Sequence, residues 1–132
     1  MRPIKFRGFN THDKKWFYGN LTQYDNGSCC INDIAVAPET VGQFTGLFDK
    51  NRQEIYEGDL LIEPSVATIS LEVRFNENQG SFCLVEHTHT EGPLLGTCPL
   101  GEMLRHYPTM KVVGNIHDNP EMVKGGKNNG YL

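Results

Sequence analysis

Nine consecutive residues near the middle of the chain alternate strictly between apolar and polar side chains. The apolar set is Ala67, Ile69, Leu71, Val73 and Phe75, and the polar set is Thr68, Ser70, Glu72 and Arg74. Alternation with a period of two predicts a β-strand with one buried face and one wet face. Turn-forming residues 76–80 follow, so residues 81–86 are expected to return as the partner strand of a hairpin.

Other segments are short, rich in β-branched and aromatic residues, and separated by turn signals. Strands are expected at residues 4–7, 16–18, 21–24, 28–31, 60–62 and 110–113, and short helical turns near 99–105 and 119–123. The predicted fold class is therefore mainly β, or a β-rich α+β fold at most. A small, SH3-like, partly open barrel is the expected arrangement, because a barrel hides the edges of many short strands.

A single domain is expected, because 132 residues leave little room for a second one. It is predicted to span residues 1–123, and the Gly/Asn-rich residues 124–132 are predicted to form a flexible C-terminal tail. No apolar run approaches the roughly 18 residues of a membrane span. Residues 1–10 also lack the apolar core of a signal peptide. A cytoplasmic protein with no membrane partner is therefore expected.

The four cysteines, Cys29, Cys30, Cys83 and Cys98, do not have the pattern of a disulfide scaffold or a zinc ribbon. They are sparse and contain no CxxC pair. Adjacent residues of a strand point to opposite faces, so Cys29 and Cys30 are not expected to bridge each other or to chelate one metal. Four reduced thiols are expected.

Basic residues are concentrated at the start of the chain. Residues 1–15 hold five basic residues and one acidic residue, although the whole chain has a net charge of -4. Aromatic residues are interleaved with them, a pattern that suits single-stranded nucleic acid because rings stack on bases and cations meet phosphates. The candidate nucleic-acid-binding residues are Arg2, Lys5, Arg7, Lys14, Lys15 and Trp16. Two alternatives stay open: the charges protect an edge strand from aggregation, or rings such as Trp16 belong to the core.

Cys83, His87 and His89 are the candidate metal ligands. If the strand that begins at residue 81 continues, the three side chains share one face. A thiolate with imidazoles is a ligand set that suits zinc. The alternative is that the strand ends in a polar loop after His87 and binds no metal, and no cofactor is otherwise expected.

The most distinctive segment runs from residue 40 to residue 59 and contains two corners. Asp49 can bond its own backbone in the first turn. Tyr56 returns to the core, and Gly58-Asp59 forms the second corner, where glycine supplies a positive φ and aspartate satisfies a free N–H. Glu54 and Asp59 have no accompanying base, nucleophile or phosphate loop in the sequence. Asp59 is therefore predicted to brace the corner, and no catalytic residue is predicted.

Three blocks of sequence, in this order, resemble the YopX family. They are Ile4-Lys-Phe-Arg7, then Thr45-Gly-Leu-Phe-Asp-Lys-Asn51 with Glu54-Ile-Tyr-Glu-Gly-Asp59, and then Val113-Gly-Asn-Ile-His-Asp-Asn-Pro-Glu121. The residues that carry the structural motif are Gly46, Asp49, Tyr56, Gly58, Asp59, Gly114, Asn115 and Pro120. Arg52 departs from the family pattern, which often has a turn glycine at this position.

The resemblance implies a β-rich fold with SH3-like character, a phage or prophage origin, expression in the cytoplasm of the host cell, and self-association. It implies no catalytic residues, since the family carries no established activity. We therefore expect a non-enzymatic accessory protein that acts by protein–protein interaction with a host or phage protein, or by self-assembly. Nucleic-acid binding by the basic N-terminal edge and metal binding at Cys83, His87 and His89 are the alternatives.

Overall fold

Strands dominate both of the units into which the chain divides, residues 1–46 and residues 47–132. The computed structural model describes residues 1–66, 69–87 and 98–123. These ranges contain eleven β-strands, one α-helix and three short 3₁₀ turns. The mainly β fold class is confirmed, and helical turns occur at both predicted places. The flexible tail predicted for residues 124–132 lies outside the described residues.

The first unit is built from short antiparallel strands. They are β1 (Phe6–Asn10), β2 (Lys15–Gly19), β3 (Leu21–Gln23), β4 (Cys29–Ile31) and β5 (Ile34–Val36), followed by a 3₁₀ turn (Pro38–Thr40) and the start of β6 (Gly42–Phe48). Strand β1 pairs with β2 and β6, and β3, β4 and β5 form a three-stranded sheet in that order. The core of this unit consists of Cys29, Ile31 and Val36, with Phe6, Phe17, Leu21 and Val41 packed against them.

Gly8 lies where β1 approaches β5 closely. A Cβ atom at position 8 would lie 2.7 Å from Cγ2 of Val36, so a larger residue would force Val36 to move. Gly8 lies opposite Phe17 in the β1–β2 hairpin, so both residues are on the side of the hairpin that faces the core of the unit. This orientation leaves the intervening residues of both strands on the opposite face.

The second unit contains the end of β6, β7 (Glu54–Tyr56), β8 (Asp59–Ile62), β9 (Ser70–Asn76), β10 (Ser81–His87), α1 (Leu100–His106) and β11 (Lys111–Asn115). Two 3₁₀ turns, Pro64–Val66 and Pro120–Met122, complete the described elements. An antiparallel sheet has the order β10-β9-β8-β11 and is open, with β10 and β11 at its edges. The buried core is Ile55, Leu61, Val73, Leu84, Leu100 and Met110.

The hairpin predicted from the alternating pattern is present as β9 and β10, with seven paired positions from Ser70↔His87 to Asn76↔Ser81. Residues 67 and 68 of the predicted strand lie outside the described residues. The prediction of a wet face is wrong for Ser70 and Glu72, which are both buried. Their polar atoms are satisfied inside the protein: the Ser70 hydroxyl donates to the Met122 carbonyl at 2.7 Å, and Glu72 is bonded to neighbouring side chains.

Two buried aspartates form the corners of the central segment. Oδ1 of Asp49 accepts hydrogen bonds from the N–H groups of Asn51 and Gln53 at 2.8 and 2.9 Å, and Oδ2 accepts one from Val112 at 3.0 Å. Asp59 accepts the N–H of Tyr56 at 2.7 Å through Oδ2. Asp49 thus joins its own turn to β11, and Asp59 closes the corner that leads into β8.

The C-terminal block forms a compact turn after β11. Oδ1 of Asn115 accepts hydrogen bonds from the N–H groups of His117 and Asp118, both at 2.9 Å. Oδ1 of Asn119 accepts the N–H of Asn115 at 3.2 Å, and Pro120 then begins a 3₁₀ turn.

All four cysteines are free thiols, of which Cys98 is exposed. None of the described helices is long and apolar enough to cross a membrane.

Candidate functional site

One face of the β1–β2 hairpin carries three aromatic rings and a guanidinium group. Phe9 lies opposite Trp16, and Arg7 lies opposite Tyr18, in the antiparallel register. Residues directly opposite each other, and residues two apart along a strand, project to the same side of a sheet. Arg7, Phe9, Trp16 and Tyr18 therefore share one face, which we call the aromatic face.

Close ring contacts hold the aromatic face together. Cζ of Arg7 lies 4.8 Å from the centroid of the Trp16 ring, a cation–π geometry. The Phe9 and Trp16 rings meet edge to face, with their centroids 5.4 Å apart. Arg7 is buried, whereas Tyr18 is 49% exposed. The arrangement is a preorganised aromatic surface on which Tyr18 is the most accessible ring.

The structure divides the six predicted nucleic-acid-binding residues among separate places. Arg7 and Trp16 are in contact on the aromatic face, while Nζ of Lys5 lies 5.2 Å from the centroid of the Phe44 ring. Three residues are exposed: Arg2 near the start of the chain, and Lys14 and Lys15 at the β1–β2 turn. Lys15 pairs with Asn10, so it lies on the face opposite Trp16.

Trp16 does not belong to the core of the first unit. The core-facing residues of this hairpin include Phe6 and Phe17, and Trp16 lies on the other face, half-buried. Ile4, near the start of the chain, is 56% exposed. Phe6 and Phe17 therefore pack in the core of the first unit, and Trp16 does not.

The second unit contains a buried charged cluster that the sequence did not indicate. Nε2 of His87 lies 2.8 Å from Oε1 of Glu72, and a guanidinium nitrogen of Arg74 lies 3.0 Å from the same oxygen. Burial raises the pKa of Glu72, but hydrogen bonds from His87 and Arg74, with their electrostatic attraction, outweigh that effect and lower it overall. The carboxylate therefore stays ionised inside the unit.

The same cluster does not have the connectivity of a nucleophile, a base and an acid. Ser70 lies opposite His87 in the register, but its hydroxyl donates to the carbonyl oxygen of Met122. A serine nucleophile needs its hydroxyl bonded to the base, with the base oriented by the acid. The arrangement is suited to fixing β9 against β10, and we assign it a structural role.

Of the predicted metal ligands, Cys83 and His87 are buried on the same face of β10. The Sγ atom of Cys83 lies 3.3 Å from Oε1 of Gln79, and His87 is bonded to Glu72. His89 lies outside the described residues, so the three-ligand site stays a prediction. In the part of the chain that the structure describes, no group of three His, Cys, Asp or Glu side chains is placed to hold a metal ion.

Comparison with known proteins gives a family and similarity to solved structures. The family model described as YopX protein matches residues 5–124, a range that reaches all three sequence blocks. No curated protein matches the chain. Among solved structures, the chain is similar to the crystal structure of protein EF1440 from Enterococcus faecalis. The identity is 22%, the alignment covers 94% of this chain and 100% of that chain, and the TM-score is 0.49.

Proposed function

The chain belongs to the YopX family, and on that premise we propose that it is a non-enzymatic accessory protein of a temperate phage or prophage. In this proposal it acts in the host cytoplasm by binding another protein through the aromatic face. The observation that carries the proposal is the packing of Arg7, Phe9 and Trp16 against one another beside the exposed Tyr18. Tryptophan, tyrosine and arginine are the residues that most often dominate the binding energy of protein interfaces.

Rigidity and charge both favour a protein partner. Side chains that are already packed against each other lose little conformational entropy on binding. Arg7 and Trp16 meet this condition, because each is held by ring contacts. Residues 1–46 contain five basic and four acidic residues, which is not the strong positive excess that phosphate binding uses. These features fit a polypeptide surface better than a nucleic-acid backbone.

The test compares two tyrosines of the first unit. Tyr18→Ala removes the most accessible ring of the aromatic face, and Tyr24→Ala is the matched control, since Tyr24 is 50% exposed and lies outside that face. A partner captured from lysogenic or infected cells by the tagged wild-type chain is then purified and titrated against all three proteins. We expect Tyr18→Ala to weaken binding by about 30-fold, the effect of losing a hot-spot residue, and Tyr24→Ala to bind like the wild type.

Two results would count against this function. The first is a captured partner that binds the Tyr18→Ala and wild-type chains equally. The second is the absence of any partner together with a monomeric chain at high concentration in analytical ultracentrifugation. A chain that forms dimers lost only in Tyr18→Ala would identify the partner as a second copy.

Binding of single-stranded nucleic acid is the second candidate. It is favoured by the position of Trp16 outside the core and by the exposure of Lys14 and Lys15 at the adjacent turn. Trp16 is the single tryptophan of the chain, so its fluorescence reports directly on the aromatic face. A single-stranded oligonucleotide should quench this emission, more strongly at about 50 mM than at about 200 mM salt. Unchanged emission at saturating oligonucleotide would reject this candidate.

A further inference from the structure

A pocket of about 220 Å³ lies in the second unit, among residues of β9, β10 and α1 and of the segments beside them. Its apolar wall includes Leu71, Met103 and Met110. Two acidic residues, Glu63 and Glu86, also line the pocket. Pockets for drug-sized ligands are typically larger, roughly 300–1,000 Å³, so this one fits a group the size of a single side chain.

Glu86 interrupts an apolar face of β10. Phe82 and Leu84, two and four residues earlier, pack in the core of the unit, and alternation places Glu86 on the same face. Glu86 lies opposite the apolar Leu71 in the register. Among the described residues, no basic side chain pairs with Glu86. An acidic residue thus lies on an otherwise apolar strand face, and no cation of the described residues compensates its charge.

Glu63 is the second carboxylate, and its position is fixed by hydroxyl groups. The Thr109 hydroxyl lies 2.8 Å from both Oε1 and Oε2 of Glu63, and the Ser65 hydroxyl lies 3.2 Å from Oε2. No basic residue of the described ranges pairs with it either. Residues 47–132 contain seven basic and twelve acidic residues, so the surrounding charge also favours a cation.

We propose that this pocket binds a basic side chain, lysine or arginine, of a partner protein. The aliphatic stem packs against Leu71, Met103 and Met110, and the cationic head meets the carboxylates of Glu63 and Glu86. Lysine and arginine combine these two properties, because their stems cover apolar surface while their charged ends reach polar groups. Methionine side chains adapt readily to an inserted group. The proposal rests on the proposed protein-binding function but uses a surface of the other unit.

The experiment uses the methionine methyl groups as probes. The chain has four methionines, of which Met103 and Met110 line the pocket, while Met1 and Met122 serve as internal controls. Protein labelled with ¹³C at the methionine methyls is titrated with Nα-acetyl-arginine amide, Nα-acetyl-lysine amide and the neutral Nα-acetyl-norleucine amide. We expect saturable shifts of the Met103 and Met110 signals with the two cations, and at least about tenfold weaker binding of the norleucine derivative.

Charge-neutral variants locate the interaction. Glu86→Gln and, separately, Glu63→Gln should each weaken binding of the arginine derivative by about tenfold. Glu102→Gln is the matched control, since Glu102 lies on α1 beside Arg105 and His106, outside the lining of the pocket. The signals of Met103 and Met110 in the free variants show whether each remains folded, and the second variant serves as the test if the first does not fold.

Three results would overturn the proposal. They are equal binding of the arginine and norleucine derivatives, shifts of equal size at all four methionines, and wild-type affinity in a folded Glu86→Gln or Glu63→Gln chain. The titration contains no partner protein, so its failure is separate from failure of the proposed function. If a partner binds in a way that requires Tyr18, but no cation binds the pocket in these titrations, the protein-binding function stands. The pocket is then not part of that function.

Discussion

His87 lies 2.8 Å from Glu72 through Nε2 and Oε1, with the two side chains only 1% and 6% exposed. An ionised carboxylate is costly to bury unless donors surround it. Arg74 provides the second donor from the solvent side, since its side chain is 45% exposed. Glu72 is therefore a buried carboxylate on β9 whose contribution to stability depends on its ionisation.

Replacing Glu72 by glutamine should lower the free energy of unfolding by about 1.5 kcal/mol at neutral pH, because two charge-assisted hydrogen bonds become weaker ones. The folded state lowers the pKa of Glu72, so its contribution is complete above the ordinary glutamate value of about 4.3. The contribution is lost as pH falls through the lower, folded value. The stability gap between wild type and variant, measured by urea unfolding, should shrink below about pH 4.

The control for this pH effect is Glu102→Gln, which neutralises an exposed glutamate paired with Arg105. It should change stability by less than about 0.5 kcal/mol. A gap between wild type and Glu72→Gln that is constant from neutral to acidic pH would show that the ionised state of Glu72 contributes nothing.

Asp49→Asn should destabilise the chain by about 2 kcal/mol, because the two carboxylate oxygens of Asp49 accept three backbone N–H groups. An amide offers only one oxygen, so at least one buried donor loses its acceptor. Urea unfolding measures the loss, and faster hydrogen exchange at the Val112 amide would locate it at β11. Asp25→Asn, at an exposed turn aspartate, should have little effect. Equal stability of the two variants would contradict this role of Asp49.

Gly114→Ala should cost about 2 kcal/mol or more. A Cβ atom at this position would lie 2.2 Å from Oδ1 of Asn119, the oxygen that accepts the Asn115 N–H. The comparison is Gly101→Ala on α1, where the nearest atom, Cδ1 of Leu47, would be at an ordinary 3.7 Å. There alanine should raise stability by about 0.5 kcal/mol, because it restricts the unfolded chain and favours the helix. The melting temperature and the urea midpoint should therefore both fall for Gly114→Ala and both rise for Gly101→Ala.

Arg52→Gly should stabilise the protein by about 0.5–1 kcal/mol. Arg52 has a φ of 65°, in the left-handed region that costs a residue with a Cβ about 1–2 kcal/mol, and glycine removes most of this strain. Its backbone N–H, which donates to the Asp49 carbonyl at 2.9 Å, is unaffected by the change. Arg52→Ala is the control, since it removes the same side chain and keeps the strain. If both variants unfold at the same urea concentration, the conformation of Arg52 is not a source of instability.

The β9–β10 hairpin could be predicted because its signal is local: alternation along each strand and a turn between them. Strands β5, β6 and β7 could not be predicted in the same way. Strand β6, for example, contains Gly42 and Gly46, which lower strand propensity. Strand β6 pairs with β1 at Phe6 and Arg7, and a partner so distant along the chain leaves no local pattern.

Composition alone indicated part of the candidate site. The cluster of basic and aromatic residues made Arg7, Trp16 and Lys15 candidate binding residues. Arg7 and Trp16 are in contact, whereas Lys15 lies on the opposite face. Alternation within β2 would have placed Tyr18 beside Trp16, but the pairing of Phe9 with Trp16 depends on the register that the turn sets. Alternation correctly placed Glu72 on the polar face of β9, but it predicted that this side chain is exposed, whereas Glu72 is buried beside His87.

The central position of β8 leaves it incompletely paired while the chain is being synthesised. Strand β8 pairs with β9 on one side and with β11 on the other, and the Asp49–Val112 hydrogen bond joins residues 63 positions apart. Translation at about 5–20 residues per second delays β11 by several seconds after β8 leaves the ribosome. During that interval one edge of the Asp59–Ile62 strand has no partner, and an unpaired apolar edge attracts other chains. The second unit is therefore expected to be open to association with other chains until its last strand has been synthesised.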